Sequence, residues 1–202
     1  HIDYSAQIAS SISQEDFNED PTQAAFTWRA SQGYEDNNYS LIGLSHTYYA
    51  SPNLKNTTSL FYTYLDHYEP APFNILDEYT NGYGVRTLFS GNLDISKNAL
   101  FYTLGGELYK DEYNWQTFEN LYQENEGNGS LQGDQQSKNK EFRNQINIFA
   151  TASYSITPKL TTQLGLNINK TQYDFRDLFN TGELNTSANR NFKALLLPSI
   201  DV

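Results

Sequence analysis

Between Tyr83 and Tyr113 the side chains alternate between apolar and polar with a period of two. Tyr83, Val85, Thr87, Phe89, Gly91, Leu93 and Ile95 hold one parity, and Gly84, Arg86, Leu88, Ser90, Asn92 and Asp94 the other. After the turn-like triplet Ser96, Lys97 and Asn98, the apolar parity resumes with Leu100, Tyr102, Leu104, Gly106 and Leu108, set against Phe101, Thr103, Gly105, Glu107, Tyr109 and Asp111. A period of two means strand, because successive strand side chains point to opposite faces. Strands of soluble sheets run about 5–6 residues, and each arm here is about twice that, close to the roughly 9–11 tilted residues that cross a bilayer. In a membrane-spanning barrel the apolar parity meets lipid and the polar parity faces the lumen. Arg86, Asp94, Glu107 and Asp111 are then luminal, since a lipid-facing Arg or Lys costs about 2–4 kcal/mol at the bilayer midplane.

The same pattern predicts further strands over 2–12, 23–34, 39–49, 55–65, 141–156, 160–173 and 190–202, about nine with the two arms of the hairpin. In the strand over 23–34, Ala24, Phe26, Trp28 and Ala30 oppose Thr27, Arg29 and Ser31; in the strand over 39–49 His46 can face either way. Tight turns are predicted near 35–38, 51–54, 96–98 and 157–159, where Asn, Pro, Ser and Lys supply turn chemistry. Long loops are predicted over 66–81, 114–140 and 174–189, and an acidic break over 14–21. Short turns on one rim and long loops on the other are the arrangement of an outer-membrane barrel, with the long loops extracellular. The predicted fold class is therefore all-β: an antiparallel transmembrane β-barrel wall, read as one partial barrel segment over residues 1–202. Because bacterial barrels of one chain carry even strand numbers, nine strands are expected not to close by themselves.

Composition narrows the partners. The 202 residues carry a net charge of −11, with 16 Tyr, 12 Phe, no Cys and no Met. So acidic a chain lacks the basic footprint of nucleic-acid binding. Without cysteine there is neither a disulfide framework nor a thiolate metal site. A mean hydropathy of −0.67 is compatible with a barrel, whose membrane signal lies in alternation. His1, His46 and His67 are too scattered for a metal site, and the acidic pairs Glu15/Asp16, Glu19/Asp20 and Glu124/Glu126 read as solvated loop charge. There is no Gly-x-Ser-x-Gly motif and no His beside Ser and Asp partners, so neither enzymatic activity nor a cofactor is expected.

Two places are more specific. Arg190, Phe192, Leu197, Pro198, Ser199, Ile200, Asp201 and Val202 resemble the segment entering a mid-barrel strand of a TonB-dependent outer-membrane receptor, especially the Bacteroidetes type. Gln32, Gly33, Tyr34, Glu35, Asp36 and Asn37 are similar to that family's Gly-Tyr-Arg-Asp-Asn-type hairpin tip. The resemblance implies a whole protein of about 22 strands with an internal plug, residence in the bacterial outer membrane, and lipid, TonB and a small-molecule ligand as partners. It implies uptake of a scarce nutrient, most often a ferric siderophore or other iron complex. The first residue, His1, and the strand-like end at Val202 are expected of an internal segment.

Candidate ligand contacts are the aromatics of the predicted loops, Tyr68, Phe73, Tyr79, Trp115, Phe118 and Tyr122, because rigid aromatics are favoured at contact surfaces. The bland reading is an interfacial belt at the rim. An anionic chelate would need attraction from Arg29, Arg86 and Arg143; the competing role of these arginines is pairing with Asp94, Glu107 or Asp111. Two other architectures remain open: a small complete barrel of eight or ten strands, and a soluble, secreted β-sandwich that binds carbohydrate or protein. In the sandwich the apolar face would be packed under a second sheet.

Overall fold

The computed structural model describes residues 1–95, 98–157 and 159–202. The elements in chain order are β1 (Ile2–Gln7), α1 (Gln14–Glu19), α2 (Phe26–Ser31), β2 (Tyr34–Ser51), β3 (Leu54–Ala71), β4 (Asn74–Ile95), β5 (Asn98–Asn120), β6 (Gln132–Thr157), β7 (Leu160–Asp177), β8 (Ala188–Asn191) and β9 (Leu195–Asp201). The strands form one antiparallel sheet in sequence order from β1 to β8, and β9 also pairs with β7. Thus β8 and β9 are two pieces of one interrupted strand. Among the described residues there is no second sheet over the apolar face, which removes the packing the sandwich requires.

A single layer has little interior. The solvent-accessible surface is 13587 Å², against about 9,700 Å² for a globular monomer of this mass. Leu44, Leu60, Leu108 and Leu164 are all at least half exposed. The fully buried side chains with the largest volumes, Ile75, Pro70 and Ser31, lie at one rim and not in the wall.

Register fixes the faces, since directly paired residues share one. One row runs Leu44, Leu60, Val85, Leu108 and Ile146. A lower row runs Tyr48, Asn56, Phe89, Leu104, Ala150 and Leu166. The opposite face carries the row Ser45, Ser59, Arg86, Glu107, Asn147 and Asn169. The alternation of β4 through β7 is therefore as the sequence predicts, and His46, paired with Thr58, takes the apolar-face parity. Gly82, Gly84, Gly91 and Gly105 are covered by aromatic rings from neighbouring strands. At Gly84, beneath Phe61, an added Cβ would also lie 2.9 Å from the Leu108 carbonyl oxygen.

Several boundaries differ from the sequence reading. The predicted strand over 23–34 is helix α2, followed by Gln32 in the left-handed conformation and by Gly33, whose amide donates to the Trp28 carbonyl at 3.2 Å. Arg29 is on that helix and not on a wall strand. A short alternating run cannot distinguish the two states; tertiary contact decides, with Trp28 edge-on to Phe73 at 6.2 Å. The acidic break contains α1, opened by a Ser13/Asp16 capping box. Residues 35–38 are not a turn: they belong to β2 and pair with β1. The motif over Gln32–Asn37 is thus a helix end running into a strand, not a hairpin tip. Connection 8–33 consequently lies on the long-loop rim.

The predicted loop over 66–81 is almost entirely strand, since β3 reaches Ala71 and β4 restarts at Asn74, leaving Pro72 and Phe73 as a tight turn. Likewise β5 and β6 extend into 114–140, and the true connection is 121–131. Strands of 22, 23 and 26 residues (β4, β5, β6) exceed what a bilayer needs, and their excess stands beyond the apolar band. Of the predicted tight turns, Ser96, Lys97 and Pro158 lie outside the described residues.

Candidate functional site

The predicted contact residues divide among three places. Arg86, Arg143 and Trp115 are on the polar face. Arg86 lies 3.9 Å from Glu107 and over the Phe149 ring at 5.4 Å. Arg143 is bonded through Nε and Nη2 to both carboxylate oxygens of the buried Asp111 and lies over Tyr109 at 5.6 Å. Both guanidiniums therefore have carboxylate partners in the wall. Arg86 pairs beside Glu107, eight residues down β5 from Trp115, which at about 3.4 Å per residue is about 27 Å. One small chelate cannot touch both.

Tyr68 and Phe118 take the other parity. Tyr68 stands with Tyr34 at 6.1 Å between ring centroids, and Phe118 pairs with the buried Ile75. Tyr79, paired with Asn114, is on that side as well. Phe73 and Tyr122 belong to a cap at the long-loop rim. Phe73 is 71% exposed at the hairpin tip, and Tyr122 begins a short 3₁₀ turn.

The structure adds residues that the sequence reading passed over. Tyr113 and Trp115, two apart on β5, stack at 4.5 Å with 16° between their planes, and Phe175 of β7 adjoins Trp115 at 5.7 Å. Tyr113 donates to Glu78; burial, then that hydrogen bond, push its hydroxyl well above the ordinary phenol range, so it is a neutral donor. This aromatic platform, with acidic Glu78 and Glu141 beside it, offers ring faces on which a planar group can stack. His67, at 2.7 Å from Asn37 and 3.5 Å from Glu69, lies on the same face. Among the described residues no group of three or more His, Asp or Glu is placed to hold a metal ion.

Two devices order the rim above the platform. In the cap, Asn120 donates to the Ala71 carbonyl and to Ser130 Oγ, both at 2.8 Å, and accepts from the Leu131 amide at 3.2 Å. Ser130 in turn donates to the Ser31 carbonyl at 2.7 Å, joining α2, the β3–β4 turn and the 121–131 connection.

Beyond β7, the Asp177 carboxylate accepts from the amides of Phe179, Asn180 and Thr186 and from the side chains of Asn180 and Thr186. The Asn180 amide first, then its carboxamide, hold this carboxyl far below the usual range. A depressed folded-state pKa contributes stability that is complete above the unfolded carboxyl value, about 3.9, and is lost as pH falls through the folded value. The loop 178–187 is therefore expected to resist cleavage after Glu183 equally from pH 5 to 8. Asp177→Ala is expected to speed that cleavage by about tenfold or more, as read by fragment mass with a glutamate-specific protease.

No protein-family model matches the sequence, and no curated protein matches it. Solved structures do match. Over 98% of its length the chain is similar to the ferric citrate transporter FecA in its unliganded form, with a TM-score of 0.81, 13% identity and 29% of that chain covered. The siderophore receptor PiuA from Acinetobacter baumannii matches 82% of this chain over 29% of its own, with a TM-score of 0.62 and 13% identity. The ferric preacinetobactin receptor BauA from the same organism matches 84% over 28%, with a TM-score of 0.63 and 10% identity. The chain thus spans less than a third of the length of the structures it matches. At these identities the likeness is one of fold: the sheet is a β-barrel wall segment of the kind these transporters and receptors carry.

Proposed function

We propose that this chain is part of the barrel of a TonB-dependent outer-membrane receptor, and that the whole protein takes up an iron chelate. One observation carries the reading: nearly the entire chain follows the wall of a ferric citrate transporter, with its apolar parity uncovered on one face and paired charge on the other. On this reading the apolar face meets lipid, the polar face lines the lumen, and the long-loop rim is extracellular. The wall's Arg–carboxylate pairs offset part of the negative charge that the polar face carries. The Tyr113–Trp115–Phe175 platform, about 7 to 14 Å above the Arg143–Asp111 pair by strand rise, is the capture surface. TonB acts through a plug that belongs to another part of the protein, and the Bacteroidetes type remains attached to the Arg190–Val202 resemblance.

The test is iron-limited growth of a strain carrying the full-length protein, supplied in turn with ferric citrate, ferric hydroxamates and ferric catecholates. At least one of these is expected to restore growth only when TonB is present, and growth on it without TonB would refute the reading. For the chelate that works, Trp115→Ala is expected to weaken binding by about 2 kcal/mol, roughly thirtyfold, with an unchanged amount of protein in the membrane. A value within twofold of wild type would remove the platform from the site.

A further inference from the structure

The basic residues of this acidic chain are not spread evenly. Beyond the apolar band, on the apolar-face parity of β5, β6 and β7, stand Lys110, Lys138, Lys140, Lys170 and Arg176, with Glu112 and Asp174 as the only acids. At the corresponding height β2, β3 and β4 present Asp36, Asp66 and Asp77 and no base. Two of the three upper cations are already engaged: Lys140 lies 2.6 Å from Glu112, Arg176 lies 2.8 Å from Asp174, and the two flank the Phe142 ring at 5.6 and 4.7 Å, while Lys138 stands highest and farthest from the apolar band.

The lower cations are different. Lys110 comes one step after Leu108 on that face, and Lys170 one step after Ile168, so both sit where the apolar band ends. Neither forms an ion pair among the described residues. Asn144 pairs directly with Lys110 and with Gln172, and Ile146, the next residue on that face of β6, pairs with Lys170. Two strand spacings and one step along the strand separate the two lysines by about 12 Å between Cα atoms, with the amides of Asn144 and Gln172 between them. Cationic and amide donors lie at one end, and a strip of Leu104, Leu108, Ile146, Ile148, Leu166 and Ile168 runs away from them. The occupant this suits is an amphiphile with an anionic head and hydrocarbon chains.

We propose that this face binds a phosphorylated lipid of the outer leaflet, its phosphate held by Lys110 and Lys170 with Asn144 and Gln172, and its chains along the apolar strip. The site deepens the membrane reading and rests on it. Each basic residue near an anionic surface contributes about fivefold, so the pair sets a loss on the order of twentyfold.

The experiment uses full-length protein purified in detergent and native mass spectrometry, with bisphosphorylated lipid A, its enzymatically dephosphorylated form, and phosphatidylcholine as probes. Wild type is expected to retain the bisphosphorylated lipid in preference to the other two. Lys110→Gln/Lys170→Gln is expected to lower that retention on the order of twentyfold and each single variant about fivefold, while Lys55→Gln, the loss of one charge on the polar face, leaves it unchanged. Equal retention of the dephosphorylated lipid, an unaffected double variant, or displacement of the lipid by an equal concentration of inorganic phosphate would overturn the site. Failure of the wild-type protein to fractionate with membranes would instead overturn the membrane reading itself.

Discussion

Replacing Leu104 by arginine is expected to remove the full-length protein from the outer membrane, while the same replacement at Thr103 leaves it there. The two residues are adjacent on β5 and differ only in face. Leu104 pairs with Phe89 and Ala150 in the middle of the apolar band and is 51% exposed in this single-layer wall. A guanidinium there meets hydrocarbon and costs about 2–4 kcal/mol. No carboxylate stands on that face within the band to offset it. Thr103 pairs with Ser90 and Thr151 on the polar face and borders a cleft of about 390 Å³ that also touches Asn92, Ser153 and Gln163. An arginine fits that wet space. Membrane fractionation and heat-dependent gel mobility check the pair, and equal tolerance of the two would reverse the facing assigned to the whole sheet.

The second large effect is expected at the cap. Asn120→Ala deletes three hydrogen bonds at once, taking from the carbonyl of Ala71, a residue only 1% exposed, its side-chain donor and from the Leu131 amide its acceptor. Each such loss at a buried polar group costs about 1–3 kcal/mol, and no repacking of a methyl group restores either. The 121–131 connection should then lose its attachment to the β3–β4 turn and to α2. Hydrogen exchange of the full-length protein is expected to rise at least tenfold over 120–132 and to stay unchanged in the β4–β5 wall below. Asn120→Asp keeps the acceptor for Leu131 but loses the donors, so its effect should fall between wild type and alanine. Exchange that is unchanged in the alanine variant would mean that the cap is held elsewhere.

These two sites show what the sequence could and could not disclose. The facing of Leu104 is legible because one face meets apolar surroundings and the other polar, so hydrophobicity itself alternates. Beyond the band that signal disappears while the strand continues. Asp66, Asn81, Glu112 and Asn114 are polar on the side where Leu60, Val85 and Leu108 are apolar lower down, and the hydrogen-bond ladder does not depend on side-chain polarity. That is why 66–81 and most of 114–140 read as loops although they are strands. Trp115 is legible as an aromatic, but its partners Tyr113 and Phe175 become visible only once β5 and β7 are known to continue to that height. Asn120 and Asp177 carry no local mark: Asn120 organises its loop through hydrogen bonds to residues up to 49 positions away, Asp177 through bonds to residues two to nine positions on, and an isolated Asn or Asp in a polar stretch is common. The α2 misreading has another cause, since six residues are too few for period to decide between helix and strand.

On the reading proposed above one parity of this sheet faces lipid, and lipid contact can be measured residue by residue. A nitroxide side chain is placed singly at positions 101 to 108 of the full-length protein in bilayers, and its collision rates with oxygen and with a water-soluble nickel chelate are compared. A period of two is expected, with oxygen access highest at Tyr102, Leu104 and Leu108 and low at Phe101, Thr103 and Glu107. Oxygen maxima at the odd positions, or nickel access that is uniform across all of them, would contradict it.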